Sequence, residues 1–433
     1  MSPIEIGYIC LGILFVLLFL GTPIGVVMGA VGVGGMAWVA STSAGLGILK
    51  TVPFATFSAY HYSVLPLFIL MGELCYQAGL TKSLYDAVHK WVGHFPGGLA
   101  IATVGGCTAF AAVSGSSLAT AATMGTLVLP EMKRFKYDDA LATGSIAAGG
   151  TIGILIPPST ILIIYAILTQ QSVGKLFLAG FFPGVLEALF YVAVIWFLCK
   201  RNPSLGPRGP KASFKERIYV LKDTWGVVAL FIIIIGGIYT GAFTPTEAGG
   251  IGAFGAFLFA IYRRKLTLES FKLSLIETCK STSMISFIIL GAMMFGYFLA
   301  VTRLPFEMAD QISALPFNRY VILFIIIVIY LLIGCVMDAM AMILLTVPIF
   351  FPLAISLGFD GIWFGIIIVR VFEMASITPP VGMNVYVLHG VAEDIPMNTI
   401  FRGIMPFLIA DVFHLALLIA FPQIVMWLPN LMS

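Results

Sequence analysis

Charge is what this sequence has least of. Only 10% of its 433 residues are Asp, Glu, Lys or Arg, while 60% are hydrophobic; a soluble domain carries about 25% charged residues. Runs such as Leu11–Leu20, Phe231–Gly237 and Tyr320–Leu332 leave no stripe for water. Lipid must solvate such a chain, and only helices or closed barrels satisfy their backbone there. Alternation at every second residue is also missing, which argues against a barrel. The six cysteines (10, 75, 107, 199, 279 and 335) form no CxxC pair, so neither a disulfide framework nor a zinc site is indicated. The sequence contains no GxxxxGK[ST] and no HExxH, which disfavours an ATP-driven pump and a membrane metalloprotease. The first apolar run follows Met-Ser-Pro-Ile-Glu, without Lys or Arg. A signal peptide needs a positive start, so this run is expected to stay as a helix of the mature protein.

What charge there is has a pattern. With the Lys- and Arg-rich linker 200–222 assigned to the cytoplasm, 18 of the 23 basic residues fall on that side. They lie in 82–90, 133–136, 200–222, 263–280 and at 402. Lys50, Lys175, Arg303 and Arg319 fall outside, and Arg370 lies within the membrane. This bias follows the positive-inside rule and puts both termini in the periplasm of a bacterial inner-membrane protein.

The chain also repeats itself at a separation of roughly 220 residues, as inverted-repeat carriers do. Leu129-Pro130 matches Phe351-Pro352, and Ile156-Pro157-Pro158 matches Thr378-Pro379-Pro380. Gly180-Phe-Phe-Pro183 matches Gly403-Ile-Met-Pro406. The expected architecture is an all-α polytopic membrane protein of two inverted-topology repeats, 1–200 and 225–433, joined by a cytoplasmic linker, 201–224. Each repeat has five crossings, one of them a broken helix, and a re-entrant hairpin. Scaffold helices are expected over 1–80, 176–199 and 225–302, transport elements over 97–170 and 320–392, and a closing helix over 403–428. The amphipathic stretches 80–95 and 266–280 read as paired interfacial arm helices.

Chemistry is expected at the interruptions. A Pro-Pro pair frees carbonyls in mid-membrane, where they must find a buried partner or a ligand. Na⁺, a hard cation, suits such oxygens. The dip at Val113-Ser114-Gly115-Ser116-Ser117 offers hydroxyls, and its repeat partner holds Asp338. An intramembrane carboxylate costs at least about 2.5 kcal/mol, so Asp338 is expected to be paired, protonated or bound to a cation, with Na⁺ coordination the reading we take. Half-helix N-termini at the dips and breaks suit a carboxylate substrate. Ser117, Thr120, Ser159, Thr160 and Asn384 are the expected substrate contacts; helix packing is the bland alternative for each. Arg370 and Glu373, three apart on one helix, read as a structural ion pair. Asp411 and His414 share that spacing and read as a subunit contact or an internal hydrogen bond. Glu73, Glu187 and Glu247 take no role at this stage.

Phe95-Pro-Gly-Gly-Leu99, Ser114-Gly-Ser-Ser117, Leu129-Pro-Glu-Met132, Ile154-Leu-Ile-Pro-Pro-Ser159, Gly180-Phe-Phe-Pro-Gly184, Met337-Asp338 and Ile377-Thr-Pro-Pro-Val-Gly-Met-Asn384 together resemble the large membrane subunit of TRAP (tripartite ATP-independent periplasmic) transporters, nearest to the sialic-acid branch. The resemblance covers nearly the whole chain. It implies an elevator-type, Na⁺-coupled importer of sialic acid or C4-dicarboxylates, with no cofactor beyond the coupling ion. It also implies a periplasmic substrate-binding protein and a separate small four-helix membrane subunit as partners, and no nucleic acid. Carried over by position, it places Na⁺ ligands at Ser114, Ser116 and Ser117 with Gly149 and Gly150, and at Asp338 with Thr378 and Gly382. The rival readings are a self-sufficient Na⁺/carboxylate symporter, a membrane-embedded enzyme, for which no nucleophile–base pair is visible, and a purely structural scaffold.

Overall fold

Interruptions of apolar helices decide the architecture. The structure is a computed structural model. It describes residues 1–432 except Gly115, Ala314, Leu315 and Val336, and leaves the side chains of Thr81, 111–114 and Ser313 outside the description. Among the described residues all regular structure is helical.

Each half holds a helical hairpin followed by a broken helix. In the first hairpin Gly98–Ser114 packs against Ser117–Arg134. In the second, Arg319–Gly334 packs against Ala339–Ser356. The first broken helix runs Asp139–Thr151, passes through a 3-10 turn at Ile152–Ile154 and a cis Pro157–Pro158 bond, and resumes as Thr160–Thr169. The second runs Gly361–Ile377, passes a cis Pro379–Pro380 bond and resumes as Met383–Val391. Both breaks fall at the Pro-Pro pairs, because proline lacks the N–H that an α-helix needs.

The remaining helices recur in the same order. Pro3–Phe19 corresponds to Trp225–Tyr239, Ile24–Val39 to Pro245–Tyr262, and Val173–Arg201 to Met397–Ala420. Packing is exchanged between the halves. Ile24–Val39 lies on Leu268–Thr302, and Pro245–Tyr262 lies on Val64–Gln77. Likewise Ser117–Arg134 touches Met383–Val391, while Ala339–Ser356 touches Thr160–Thr169. Glycine permits the closest of these crossings: a Cβ on Gly291 would stand 2.2 Å from the Gly25 carbonyl, and one on Gly32 would stand 2.7 Å from the Met294 backbone. Small residues let membrane helices approach in this way where no hydrophobic driving force exists between them.

The arms differ from the sequence expectation. Leu80–Val92 is a separate helix, set off by Gly79 at φ +69°. The stretch 266–280 is not separate: it forms the start of one unbroken helix, Leu268–Thr302. By position its counterpart is Thr42–Phe57, which is bent by 61° from the following segment Tyr60–Gln77. The positional counterpart of the first arm is instead Leu304–Ser313, set off by Arg303 at φ 56°. Both short helices, Leu80–Val92 and Leu304–Ser313, thus follow a residue in the left-handed conformation.

By length and composition alone, four described helices can cross a membrane unaided: Val173–Arg201, Leu268–Thr302, Ala339–Ser356 and Met397–Ala420. Two bent pairs raise this to six. Other apolar helices are shorter, such as the 17-residue Pro3–Phe19, roughly 25 Å long against a hydrocarbon core of about 30 Å.

Candidate functional site

The first break sits against both arms of the first hairpin. Gly149 faces one arm, where an added Cβ would stand 3.2 Å from Cys107 Sγ. Gly150 faces the other, where a Cβ would stand 3.1 Å from Ala121 Cβ and 3.3 Å from the Ser117 carbonyl oxygen. The structure thus brings Ser117, Gly149 and Gly150 together. Ser117 is buried. Ser116 caps the helix that begins with Ser117, its hydroxyl accepting a hydrogen bond from Ala119 N at 3.3 Å, and its carbonyl accepts one from Thr120 Oγ1 at 2.7 Å. The Ser114 side chain and Gly115 lie outside the described residues.

The second break is assembled differently. Cys335 Sγ lies 3.8 Å from the Pro379 carbonyl and joins the hairpin turn to the break. Gly382, at φ +63°, is buried so that a Cβ would stand 3.3 Å from the Thr378 carbonyl. Thr378 Oγ1 donates to the Met374 carbonyl at 2.6 Å. Asp338 is exposed, and its carboxylate caps Ala339–Ser356 by accepting from Met340 N at 3.1 Å, a role that suits an acidic residue at a helix N-cap.

Two contacts join the breaks to each other. Asn384, fully buried, donates from Nδ2 to the Ala147 carbonyl at 3.4 Å, and its Oδ1 has no partner among the described residues. A buried carbonyl-type acceptor without a donor is costly unless something fills it. Glu373 Oε1 accepts from Leu155 N at 3.1 Å, a donor that also reaches the Ile152 carbonyl at 3.2 Å, and so ties the second broken helix to the first break. Of the other expected substrate contacts, Ser159 is buried and caps Thr160–Thr169, its Oγ accepting from Leu162 N at 3.3 Å. Thr120 and Thr160 are buried as well.

Arg370 and Glu373 pair at 3.1 Å, but within a larger cluster. Arg370 Nη1 is also 3.1 Å from Glu187 Oε1, Nη2 lies 2.5 Å from Asp411 Oδ1, and Nε donates to His414 Nδ1 at 2.9 Å. All five side chains are completely buried. Asp411 and His414 thus make internal hydrogen bonds, both to Arg370 rather than to each other, and Glu187 gains a place. Sequence spacing found the Arg370–Glu373 and Asp411–His414 pairs; charge balance was the signal that could have joined them. Arg370, Glu373, Asp411 and Glu187 each lie in an apolar helix and each requires an opposite charge.

A cavity of about 690 Å³ lies elsewhere. It is lined by Thr56, Tyr62, Gln170, Gln171, Thr246 and Tyr297 among others, beside the C-terminal end of Thr160–Thr169. None of the residues expected to bind ion or substrate lines it. Outside the membrane, Lys133 hydrogen-bonds to Asp394 and holds that exposed carboxyl below its usual range.

Among the described residues, helices only, with paired hairpins set against paired broken helices, give the architecture of a membrane transporter. The chain belongs to the DctM component family of tripartite ATP-independent periplasmic transporters, whose model matches residues 11–424. It is 38% identical over 381 residues to the C4-dicarboxylate TRAP transporter large permease protein DctM of Pseudomonas aeruginosa, covering 87% of this chain and 88% of that one. It is 34% identical over 416 residues to the sialic acid TRAP transporter large permease protein SiaM of Vibrio cholerae, covering 96% of each. The first figure is the higher, so similarity does not single out the sialic-acid branch. The isethionate TRAP transporter permease protein DctMQ of Oleidesulfovibrio alaskensis is 32% identical over 397 residues, with 90% of this chain and 60% of that one covered. The fold is similar to that of the Alcanivorax borkumensis YdaH transporter, with a TM-score of 0.67 at 14% identity, covering 88% of this chain and 90% of that one.

Proposed function

We propose that this TRAP large permease imports a small organic acid, of the C4-dicarboxylate or sialic-acid type, across the bacterial inner membrane by coupling it to Na⁺. A periplasmic binding protein delivers the solute, and a separate small membrane subunit completes the assembly, in keeping with the tripartite family and with the fused DctMQ relative. The observation that carries the reading is Asn384. Its buried Oδ1, without a partner among the described residues, sits where the second break meets the first broken helix at Ala147, two residues before the glycine pair. Amide Oδ1 is an acceptor, so it takes a hydroxyl or amide donor of the solute or helps to coordinate the cation. The solute carboxylate goes to the half-helix N-termini.

The mobile unit of an elevator comprises both hairpins and both broken helices. We count Val173–Arg201 and Met397–Ala420 with it, although the first was expected in the scaffold. Both are tied to the second broken helix by the Arg370 cluster. Uptake by proteoliposomes holding both membrane subunits, with the binding protein outside, tests the reading. A Na⁺ gradient should drive accumulation of a labelled organic acid only with the binding protein present. Equal uptake in K⁺ sinks the sodium coupling, and equal uptake without the binding protein sinks the tripartite assignment.

A further inference from the structure

The Arg370 cluster holds more negative charge than its single guanidinium can balance. Glu187, Glu373 and Asp411 surround Arg370, all four at no solvent exposure. His414 adds no charge, because its Nδ1 accepts the Arg370 Nε–H and a ring nitrogen that accepts carries no proton. One carboxylate is balanced by Arg370, and two remain. The three are not equivalent. Asp411 has Nη2 to itself, whereas Glu187 and Glu373 share Nη1 at 3.1 Å each. Glu373 has a second donor in Leu155 N. Glu187 has no such backbone donor among the described residues: besides the shared Nη1 its oxygens face the Tyr191 hydroxyl and the Glu373 carboxyl. The groups facing it are Tyr191 on its own helix, Arg370 and Glu373 on Gly361–Ile377, and Asp411 and His414 on Met397–Ala420. No further basic group is present among the described residues around it to supply the missing positive charge.

We infer that the cluster is a proton-binding site, with one proton shared between Glu187 and Glu373. Two carboxylates beside one donor nitrogen cannot both stay ionised in a buried site, and one proton there cuts the cluster's excess from two negative charges to one. A carboxylic acid on one supplies the donor that the other lacks. The proton then joins three helices: the closing helix of the first half, the second broken helix and the closing helix of the second half. It also lies one hydrogen bond from the first break, through Glu373 and Leu155 N. The site is distinct from the hairpin turns and breaks where we place Na⁺, and it does not depend on that placement.

Infrared spectroscopy of the purified permease with its small subunit, in buffer without Na⁺ or substrate, tests the inference. At neutral pH the protein should show the carbonyl band of a protonated carboxylic acid that does not exchange quickly with solvent. Glu187→Gln or Glu373→Gln, each neutral and of the same shape, should remove it while leaving the melting temperature at neutral pH nearly unchanged. Asp411→Asn should leave it in place. Absence of the band from the unsubstituted protein overturns the inference, and that result needs no variant to fold. A band lost only in Asp411→Asn overturns it too. Because neither sodium nor solute is present, failure here leaves the transport reading untouched.

Discussion

The two broken helices occupy matching places in the two halves and carry opposite chemistry. Asp139–Thr151 buries small, uncharged residues and closes on its hairpin through Gly149 and Gly150. Gly361–Ile377 is equally buried but carries Arg370 and Glu373. One half lines its break with small residues and backbone; the other supplies the ion cluster that joins the closing helices and reaches across to Leu155 N. The closing helices are asymmetric as well. Gly403 packs against the Ala140 carbonyl and Gly180 against the Leu155 carbonyl, so both GxxP glycines serve the first broken helix. The two halves share a backbone plan, and the buried ion cluster belongs to the second broken helix and the closing helices.

The largest effect should follow from removing the brace. Arg370→Ala leaves three buried carboxylates without their cation, and breaking a buried pair in this way costs about 3–5 kcal/mol. Yield of folded protein and melting temperature should both collapse. The same substitution combined with Glu187→Gln and Glu373→Gln should recover part of the loss. An unchanged melt in the single variant would remove the contrast between the halves.

Next come the glycine crossings. A Cβ on Gly403 would stand 1.9 Å from the Ala140 carbonyl, with backbone on both sides. Gly403→Ala should therefore destabilise by about 1–3 kcal/mol, the usual penalty of overpacking. Gly34, which has open space around its Cβ position, serves as the control, and Gly34→Ala should melt like the parent. Asn384→Ala should cost about 1 kcal/mol for the lost bond to Ala147 but reduce solute uptake far more than that. If uptake and stability fall in step, Asn384 is a packing residue only. The smallest effect belongs to the exposed Lys133–Asp394 pair. The depressed Asp394 carboxyl contributes stability above its unfolded titration range and loses it as pH falls. Asp394→Asn should then barely shift the neutral melt and should flatten its acid side slightly.

Much of the architecture was legible because backbone chemistry is local. Pro157–Pro158 and Pro379–Pro380 mark both breaks, Ser116 and Asp338 mark both hairpin turns, and the GxxP glycines mark the tight approaches of the closing helices. The arms were half legible: the amphipathic 266–280 merges into a long span, and the true counterpart begins after Arg303. The ion cluster was barely legible. Glu187, Arg370 and Asp411 meet only because three helices far apart in sequence converge, and no periodicity records such a meeting. Asp338 caps its helix, and a carboxylate at that place in an apolar run also suits an ion ligand, so residue type alone does not separate the two roles.

Sodium at the hairpin–break sites is the central claim, and melting of the purified permease with its small subunit in NaCl against KCl at equal ionic strength tests it most directly. A ligand that binds only the folded state stabilises it by mass action. The account predicts a Na⁺-specific rise in melting temperature that Ser114→Ala reduces and Asp338→Asn, which keeps the helix cap but loses the charge, also reduces. The same melting temperature in both salts, or a Na⁺-specific rise untouched by either substitution, would contradict it.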